Sequence, residues 1–298
     1  MIGSLRCVLR VPIRQIRHYL QSVHALSLST GEIVEVLHAT EKATQDTVAT
    51  IKETIGASEA VQADETGWRE EGKNGYIWSL STPTLRYYEY HHSRGSEGLT
   101  QLLGETFEGV LGSDFYAAYN VYQGRHQRCW VHWLRDIHHL KEQHPDQEAV
   151  WTWAAEVKAC YERACSYTGP SPGLTPQQQQ KERARQQHRY EQEVWAICAP
   201  YAHSDLPMHT LCERIERFLP ELFLFVAVPG VPSHNNLAER SVRPLVIARK
   251  ISGGSRSPKG SHTRMSLASL FGTWMTQGLN PFQECLALLS QPSPLPQP

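Results

Sequence analysis

Ala-Val-Gln-Ala-Asp-Glu-Thr (60–66), Gly-Tyr-Ile-Trp-Ser-Leu-Ser-Thr (75–82) and Leu-Arg-Tyr-Tyr-Glu-Tyr-His (85–91) follow one another in the chain. They are short, apolar or alternating, and rich in β-branched and aromatic residues, and Gly-Lys-Asn-Gly (72–75) and Thr82-Pro83 supply turn signals between them. This reads as a three-stranded meander. Beyond it the pattern predicts a helix from Ser96 to Glu105, a strand from Gly109 to Ser113, an amphipathic piece from Phe115 to Tyr122 and a strand from Gln127 to Trp130. Strands that mix with helices in this order indicate an α/β class.

Helical patterns flank this core. Pro12 to about Ile55 carries Ser29 and Glu32 at capping-box spacing. Val131 to about Leu219 is again helical, interrupted by a Pro/Gly/Ser-rich loop at 169–176. Asn235 to Arg243 is expected to be a short helix ended by Pro244, which disfavours helical geometry in the residue before it. Closing helices are expected at Arg264–Gln277 and Pro281–Leu289. The domain reading is a helical amino-terminal segment (1–58), a first core part (59–130), a helical insertion (131–220), a second core part (221–290) and a disordered tail (291–298).

The chain has 298 residues, 40% of them hydrophobic, with eight Trp, enough for a buried core. A formal net charge of -1 excludes a polycationic nucleic-acid coat, so contacts to phosphates must come from local clusters. Seven cysteines in no regular framework suit a reducing compartment, and no apolar run is long enough for a signal peptide or a membrane span. The expected location is cytoplasmic, and no membrane partner is expected.

Three acids stand where phosphoryl-transfer chemistry needs them. Two divalent ions that activate an attacking oxygen and stabilise a leaving one require hard carboxylate ligands converging from separate elements. Asp64 lies near the end of the first strand and Asp114 at the end of the fourth; as parallel neighbours, these strands would present both at one sheet edge. Glu65 is the rival, but period-two alternation sends it to the opposite face. Glu239 is expected to follow from the helix that opens at Asn235 and Asn236, two residues that cap the helix or orient the acid. Singly, each acid is more often a turn or surface residue.

Between Arg240 and Arg264 no Asp or Glu occurs, while Arg240, Arg243, Arg249, Lys250, Arg256, Lys259 and Arg264 do. We read these seven as DNA-binding, with Ser252-Gly253-Gly254-Ser255 allowing close backbone approach to a duplex. Arg10, Arg14 and Arg17 share a helical face and read as a solvated stripe. Cys129 and His132 have the spacing of half a zinc site, but no second pair matches, and zinc is not expected. Trp130 and Trp133 read as core residues ahead of base-stacking ones.

At these residues the sequence resembles the transposases of the insertion-sequence-66 family. The matching stretches are Ala-Asp-Glu-Thr-Gly-Trp (63–68), Ser-Asp-Phe-Tyr-Ala-Ala-Tyr (113–119), Arg-Cys-Trp-Val-His-Trp-Leu-Arg-Asp (128–136), Asn-Asn-Leu-Ala-Glu-Arg-Ser-Val-Arg-Pro (235–244), Arg-Lys-Ile-Ser-Gly-Gly-Ser-Arg (249–256) and Gly-Leu-Asn-Pro (278–281). The resemblance implies an RNase H-like mixed sheet interrupted by a helical insertion, with Asp64, Asp114 and Glu239 as catalytic and metal-binding residues and Mg²⁺, or Mn²⁺ in its place, as cofactor. It implies DNA strand cleavage and strand transfer at the ends of an insertion sequence in a bacterial, nucleoid-associated setting. The implied partners are double-stranded DNA in the form of terminal inverted repeats and target, further copies of the chain on DNA, and accessory proteins of the element. Cys129, Trp130, His132, Asn235 and Asn236 fall in motifs that support the site. His234 stands where relatives often carry an acid, and against the resemblance the chain is expected to lack the family's usual amino-terminal extension with its zinc module. The alternative reading is therefore a truncated, catalytically silent DNA-binding or regulatory remnant.

Overall fold

The structure, a computed structural model, describes residues 1–104 and 107–290. The expected disordered tail at 291–298 and the predicted helix end at Glu105 lie outside the described residues. The chain divides into two units, one made of Met1–Phe107 together with the chain from Asn236 onward, the other of Glu108–Asn235. Five strands among the described residues, three antiparallel and two parallel, give a mixed α/β class with many flanking helices. Among the described residues no helix is long and apolar enough to cross a membrane.

In the first unit, β1 (Ala60–Glu70) pairs antiparallel with β2 (Lys73–Ser81), and β2 with β3 (Arg86–His91). The strands run further into the turn than the Gly-Lys-Asn-Gly signal suggests. Glu70 pairs with Lys73, and only Glu71 (φ 53) and Gly72 (φ 80) make the bend. Two successive positive φ values match the right-handed twist of a hairpin, and Gly72 adopts one without steric cost.

Alternation assigns Gln62, Asp64, Thr66 and Trp68 to one face of β1, with Val61, Ala63 and Glu65 on the other. The first face is covered by α10 (Asn236–Ser252) and α11 (Pro258–Thr276), where Trp68, Ile77, Tyr88, Leu245 and Met265 form a buried cluster. Outward-facing backbone donors of β3 are also satisfied by α11: the Tyr88 N–H donates to Ser269 Oγ (2.9 Å) and the Arg86 N–H to Thr273 Oγ1 (3.0 Å). This arrangement blunts an edge that would otherwise invite pairing with another strand.

The amino-terminal helices α1 (Ile2–Cys7), α2 (Ile13–His24) and α3 (Thr30–Gly56) belong to this unit, as do α4 (Ser96–Leu103) and α12 (Pro281–Leu289). α1 has no counterpart in the sequence reading. The predicted capping box is present: the Glu32 N–H donates to Ser29 Oγ (3.1 Å) and the Ser29 N–H to Glu32 Oε2 (2.8 Å). α12 opens with Pro281 at its first position.

Two expectations are corrected here. α10 does not stop before Pro244 but runs to Ser252, because Val242, Leu245 and Ala248 bury the helix on the sheet, while Pro244 itself is exposed. The carbonyl that Pro244 leaves without a donor belongs to Arg240, also exposed, where water can reach it. α11 begins at Pro258 rather than Arg264, since Ser257 Oγ accepts from the Gly260 N–H (3.1 Å) and Pro258 sits at a first-turn position that needs no N–H.

In the second unit, β4 (Val110–Ser113) pairs parallel with β5 (His126–Arg128), and a 3₁₀ turn at Ala117–Val121 replaces the expected amphipathic piece. The predicted strand to Trp130 ends sooner, at Arg128, and α5 (Trp130–Gln143) opens directly after Cys129. Then come α6 (Glu148–Cys165), α7 (Pro176–Ala202), α8 (His209–Leu222) and α9 (Leu224–Ala227). Their common core includes Trp130, Trp133, Trp153, Val157, Val194, Ile215 and Phe223.

Candidate active site

Asp64 is half-buried on the face of β1 that α10 covers. Its Oδ1 accepts from the Glu65 N–H (2.9 Å), and its carbonyl accepts from Ser79 Oγ on β2 (3.2 Å). Two residues earlier on the same face, Gln62 is buried and its Oε1 accepts from the N–H groups of Leu237 (3.1 Å) and Ala238 (3.3 Å). Those are first-turn donors of α10, which have no partner within the helix itself. Gln62 thus ties the start of the Glu239 helix to the strand of Asp64. Glu239 is half-buried in that first turn, where the helix dipole favours a carboxylate.

Glu65 is engaged differently. Its side chain is 2% exposed, and Oε1 accepts from Arg94 Nε (2.9 Å) and Nη2 (2.5 Å) on the far face of the meander. A buried carboxylate bonded to a guanidinium is a structural ion pair, which favours Asp64 over its neighbour as a ligand.

Asp114 belongs to the second unit, immediately after β4, and its Oδ1 accepts from the Tyr116 N–H (2.9 Å). The turn around it is built by Arg128, whose side chain is only 1% exposed. This guanidinium donates to the Asp114 carbonyl (2.9 Å), Asn120 Oδ1 (2.7 Å) and Glu221 Oε2 (2.6 Å). His126, on the partner strand, has Nε2 2.8 Å from Ser113 Oγ and Nδ1 3.3 Å from Glu221 Oε2. Burial, reinforced by the Arg128 charge, holds His126 well below its ordinary value and so neutral. Ser113, His126 and Glu221 share the contacts of a nucleophilic triad, yet Ser113 is 0% exposed and its hydroxyl donates to the Asp114 carbonyl (2.8 Å). The trio holds the strand end and does not face a substrate.

The Cys129/His132 motif also acts on backbone. The Cys129 N–H donates to the Ser113 carbonyl (2.9 Å), and Cys129 Sγ accepts from the Asn235 N–H (3.2 Å). The Trp130 N–H donates to the Ser233 carbonyl (2.9 Å). A cysteine at the start of α5 thus secures the last residues of this unit before the chain passes into the other. His132 lies one turn further along α5, half-buried. Trp130 is a core residue: it stacks on Tyr161 (4.8 Å), meets Trp133 edge-on (5.4 Å) and donates Nε1–H to the Leu222 carbonyl (2.5 Å). Among the described residues, neither unit by itself gathers three His, Cys, Asp or Glu side chains around one point.

The basic run separates into two sets. Arg240, Arg243 and Lys250 are exposed along α10, and Arg256 and Lys259 are exposed at and before the start of α11. Arg249 instead reaches back to β1, donating to the Gly67 carbonyl, and Arg264 is buried, donating to the Arg6 carbonyl (2.8 Å). These two differ from the five exposed residues, since each donates through Nη1 to a backbone carbonyl within the first unit. The Ser-Gly-Gly-Ser segment packs on the protein itself at Gly254 and Ser255. A Cβ on Gly254 would lie 2.2 Å from the Arg69 carbonyl oxygen, and the Ser255 N–H donates to that oxygen (2.8 Å). The close approach that Gly254 permits is to the protein's own strand.

Gln62, Arg94, Arg128 and Glu221 were not singled out from sequence. Arg128 sits inside a matched motif, but nothing local announces the partners of the others, which lie between 29 and 176 residues away.

The chain is similar to the uncharacterized protein y4jO of Sinorhizobium fredii, with 28% identity over 187 residues covering 60% of this chain and 51% of that protein. The chain therefore spans about half the length of this curated relative. The family model described as Transposase IS66 family matches residues 2–263, and the chain belongs to the IS66 family of transposases.

Proposed function

We propose that this transposase-family chain is the catalytic part of a DDE enzyme that cuts a DNA strand and joins the freed 3′-hydroxyl to target DNA. The observation that carries this reading is the Gln62 bond to the first turn of α10, which sets the Glu239 helix on the Asp64 face of β1. Asp114, in a turn braced by Arg128, is the third acid.

Three carboxylates are the hard donor set that Mg²⁺ or Mn²⁺ takes, and the ion pair that occupies Glu65 leaves Asp64 as the acid of β1 suited to it. Asp64, Asp114 and Glu239 would hold the ions, which when bound supply activation of the attacking oxygen and stabilisation of the leaving one. Arg240, Arg243 and Lys250 on α10, with Arg256 and Lys259 beyond it, bind backbone phosphates and fix the strand relative to Glu239. Hydrolysis breaks the bond between phosphorus and the 3′ oxygen and leaves a 3′-hydroxyl and a 5′-phosphate. In strand transfer that hydroxyl attacks a target phosphodiester, and the displaced 3′ oxygen leaves with a proton. Double-stranded inverted repeats and target DNA are the substrates, and further copies of the chain would align the two ends.

Nicking of supercoiled plasmid carrying element ends, in Mg²⁺ and then Mn²⁺, tests the reading. Asp64→Asn, Asp114→Asn and Glu239→Gln are each expected to lower nicking at least a thousandfold with DNA affinity kept. Nicking by Asp64→Asn equal to that of the parent protein would refute the assignment, and DNA binding by a parent protein that never nicks would favour a silent remnant.

A further inference from the structure

Arg6 and Arg264 face each other in the first unit without a carboxylate between them. Arg6, on α1, donates through Nη1 to the Val11 carbonyl and to Ser252 Oγ, both at 3.1 Å. Arg264, on α11, is 7% exposed and donates through Nη1 to the Arg6 carbonyl, while its Nε is buried with no hydrogen-bond partner. Burial and the neighbouring Arg264 charge pull Arg6 down to about 10, the mark of two cations held together at a cost. An uncompensated pair of this kind is expensive unless something anionic joins it.

Arg6 and Arg264 are among the residues that line a cavity of about 680 Å³, a size in the range of small-ligand sites. The start of the 19-residue α11 also lines it, through the N-cap Ser257 and first-turn Gly260, so a helix amino terminus adds its positive end. Arg14 and Arg256, both exposed, stand among its lining residues. Glu35 is the acid there, but its side chain is 72% exposed and lies 4.0 Å from Lys259. Arg14, a solvated stripe residue by sequence, thus acquires a use. We propose that this cavity is a phosphate cradle, in which Arg6 and Arg264 hold a phosphoryl group and Arg14 and Arg256 close over it. Its volume exceeds that of a lone phosphate, leaving room for the sugar and base of a strand terminus. The cradle involves neither Asp64 nor Glu239 and stands whether or not the chain cuts DNA.

Thermal unfolding of the full chain in sodium phosphate against sodium chloride at matched ionic strength reads the site directly. Phosphate is expected to raise Tm saturably, by several degrees beyond chloride. Arg264→Gln should weaken the apparent phosphate affinity at least tenfold. If that variant does not fold, Arg14→Ala combined with Arg256→Ala, both on exposed side chains, should weaken it several-fold with Tm in chloride unchanged. Competition then identifies the source within a supported cradle. Preference for a 5′-phosphorylated oligonucleotide over its hydroxyl-ended twin assigns a strand end, equal competition by both assigns backbone phosphate, and competition by neither assigns free phosphate. A parent protein stabilised no more by phosphate than by chloride, or folded variants with parental affinity, would overturn the proposal.

Discussion

Gln62 and Ala238 are joined by a hydrogen bond between elements 176 residues apart in sequence, and Leu237 shares the same acceptor. Replacing Gln62 with Leu removes that oxygen from two first-turn donors, one of them fully buried. The expected cost is about 1–3 kcal/mol of stability. Amide exchange at Leu237 and Ala238 should accelerate selectively, and nicking should fall at least tenfold with DNA affinity retained. Unchanged exchange at those two amides would show that the cap carries nothing.

Glu65 and Arg94 form a structural ion pair whose acid is buried and whose guanidinium is 45% exposed. Arg94→Met leaves the carboxylate without those bonds and should cost roughly 1–3 kcal/mol, moderated by solvent at the Arg94 end. Adding Glu65→Gln should recover most of the loss, and the double variant should nick DNA at the parental rate. Urea midpoints for the single and double variants decide it: equal midpoints exclude the pairing as the cause.

His126 makes the second unit sensitive to acid. Its folded form is held neutral, well below the ordinary 6.5, by burial first and Arg128 second. The unfolded chain therefore binds the proton more readily between the depressed value and 6.5, so this contribution to stability is full above 6.5 and is lost as pH falls below it. Urea unfolding followed from pH 7.5 to pH 5 should show a steeper loss for the parent protein than for His126→Gln. Parallel profiles would remove His126 as the origin.

Gly253 and Gly254 separate two kinds of glycine requirement. Gly253 has φ +83 and open space where a Cβ would go, so Gly253→Ala should cost about 1 kcal/mol for backbone strain alone. Gly254 has φ +146 and a Cβ position 2.2 Å from the Arg69 oxygen, so Gly254→Ala should cost on the order of 2–4 kcal/mol. Chemical denaturation ranks them, and an equal effect would contradict the crowding at Arg69.

Signals that close within a few residues were legible in the sequence. The Ser29/Glu32 box, the opening of α12 at Pro281 and the three strands of the meander are local, and each is present. So was the opposite facing of Asp64 and Glu65, because alternation along a strand is a local rule. What escaped was decided at a distance. Pro244 argues for a helix end, but the burial of Leu245 and Ala248 against the sheet overrides it. Gly254 reads as part of a segment open to close approach by a duplex until the Arg69 carbonyl is found against it. Arg264 reads as one more basic residue of a run, and only its helix position turns it inward to Arg6.

The division of the first unit into two stretches of chain sets an order on its assembly. The Tyr88 hydroxyl donates to the Ser241 carbonyl across 153 residues, and the apolar side of the meander at Trp68, Ile77 and Tyr88 is covered by Leu245 and Met265. During synthesis that greasy surface emerges early and stays bare while residues 108–235 are made, and those residues form one uninterrupted stretch able to fold in the meantime. The nascent transposase thus carries its own aggregation hazard, relieved when the chain from Asn236 onward arrives.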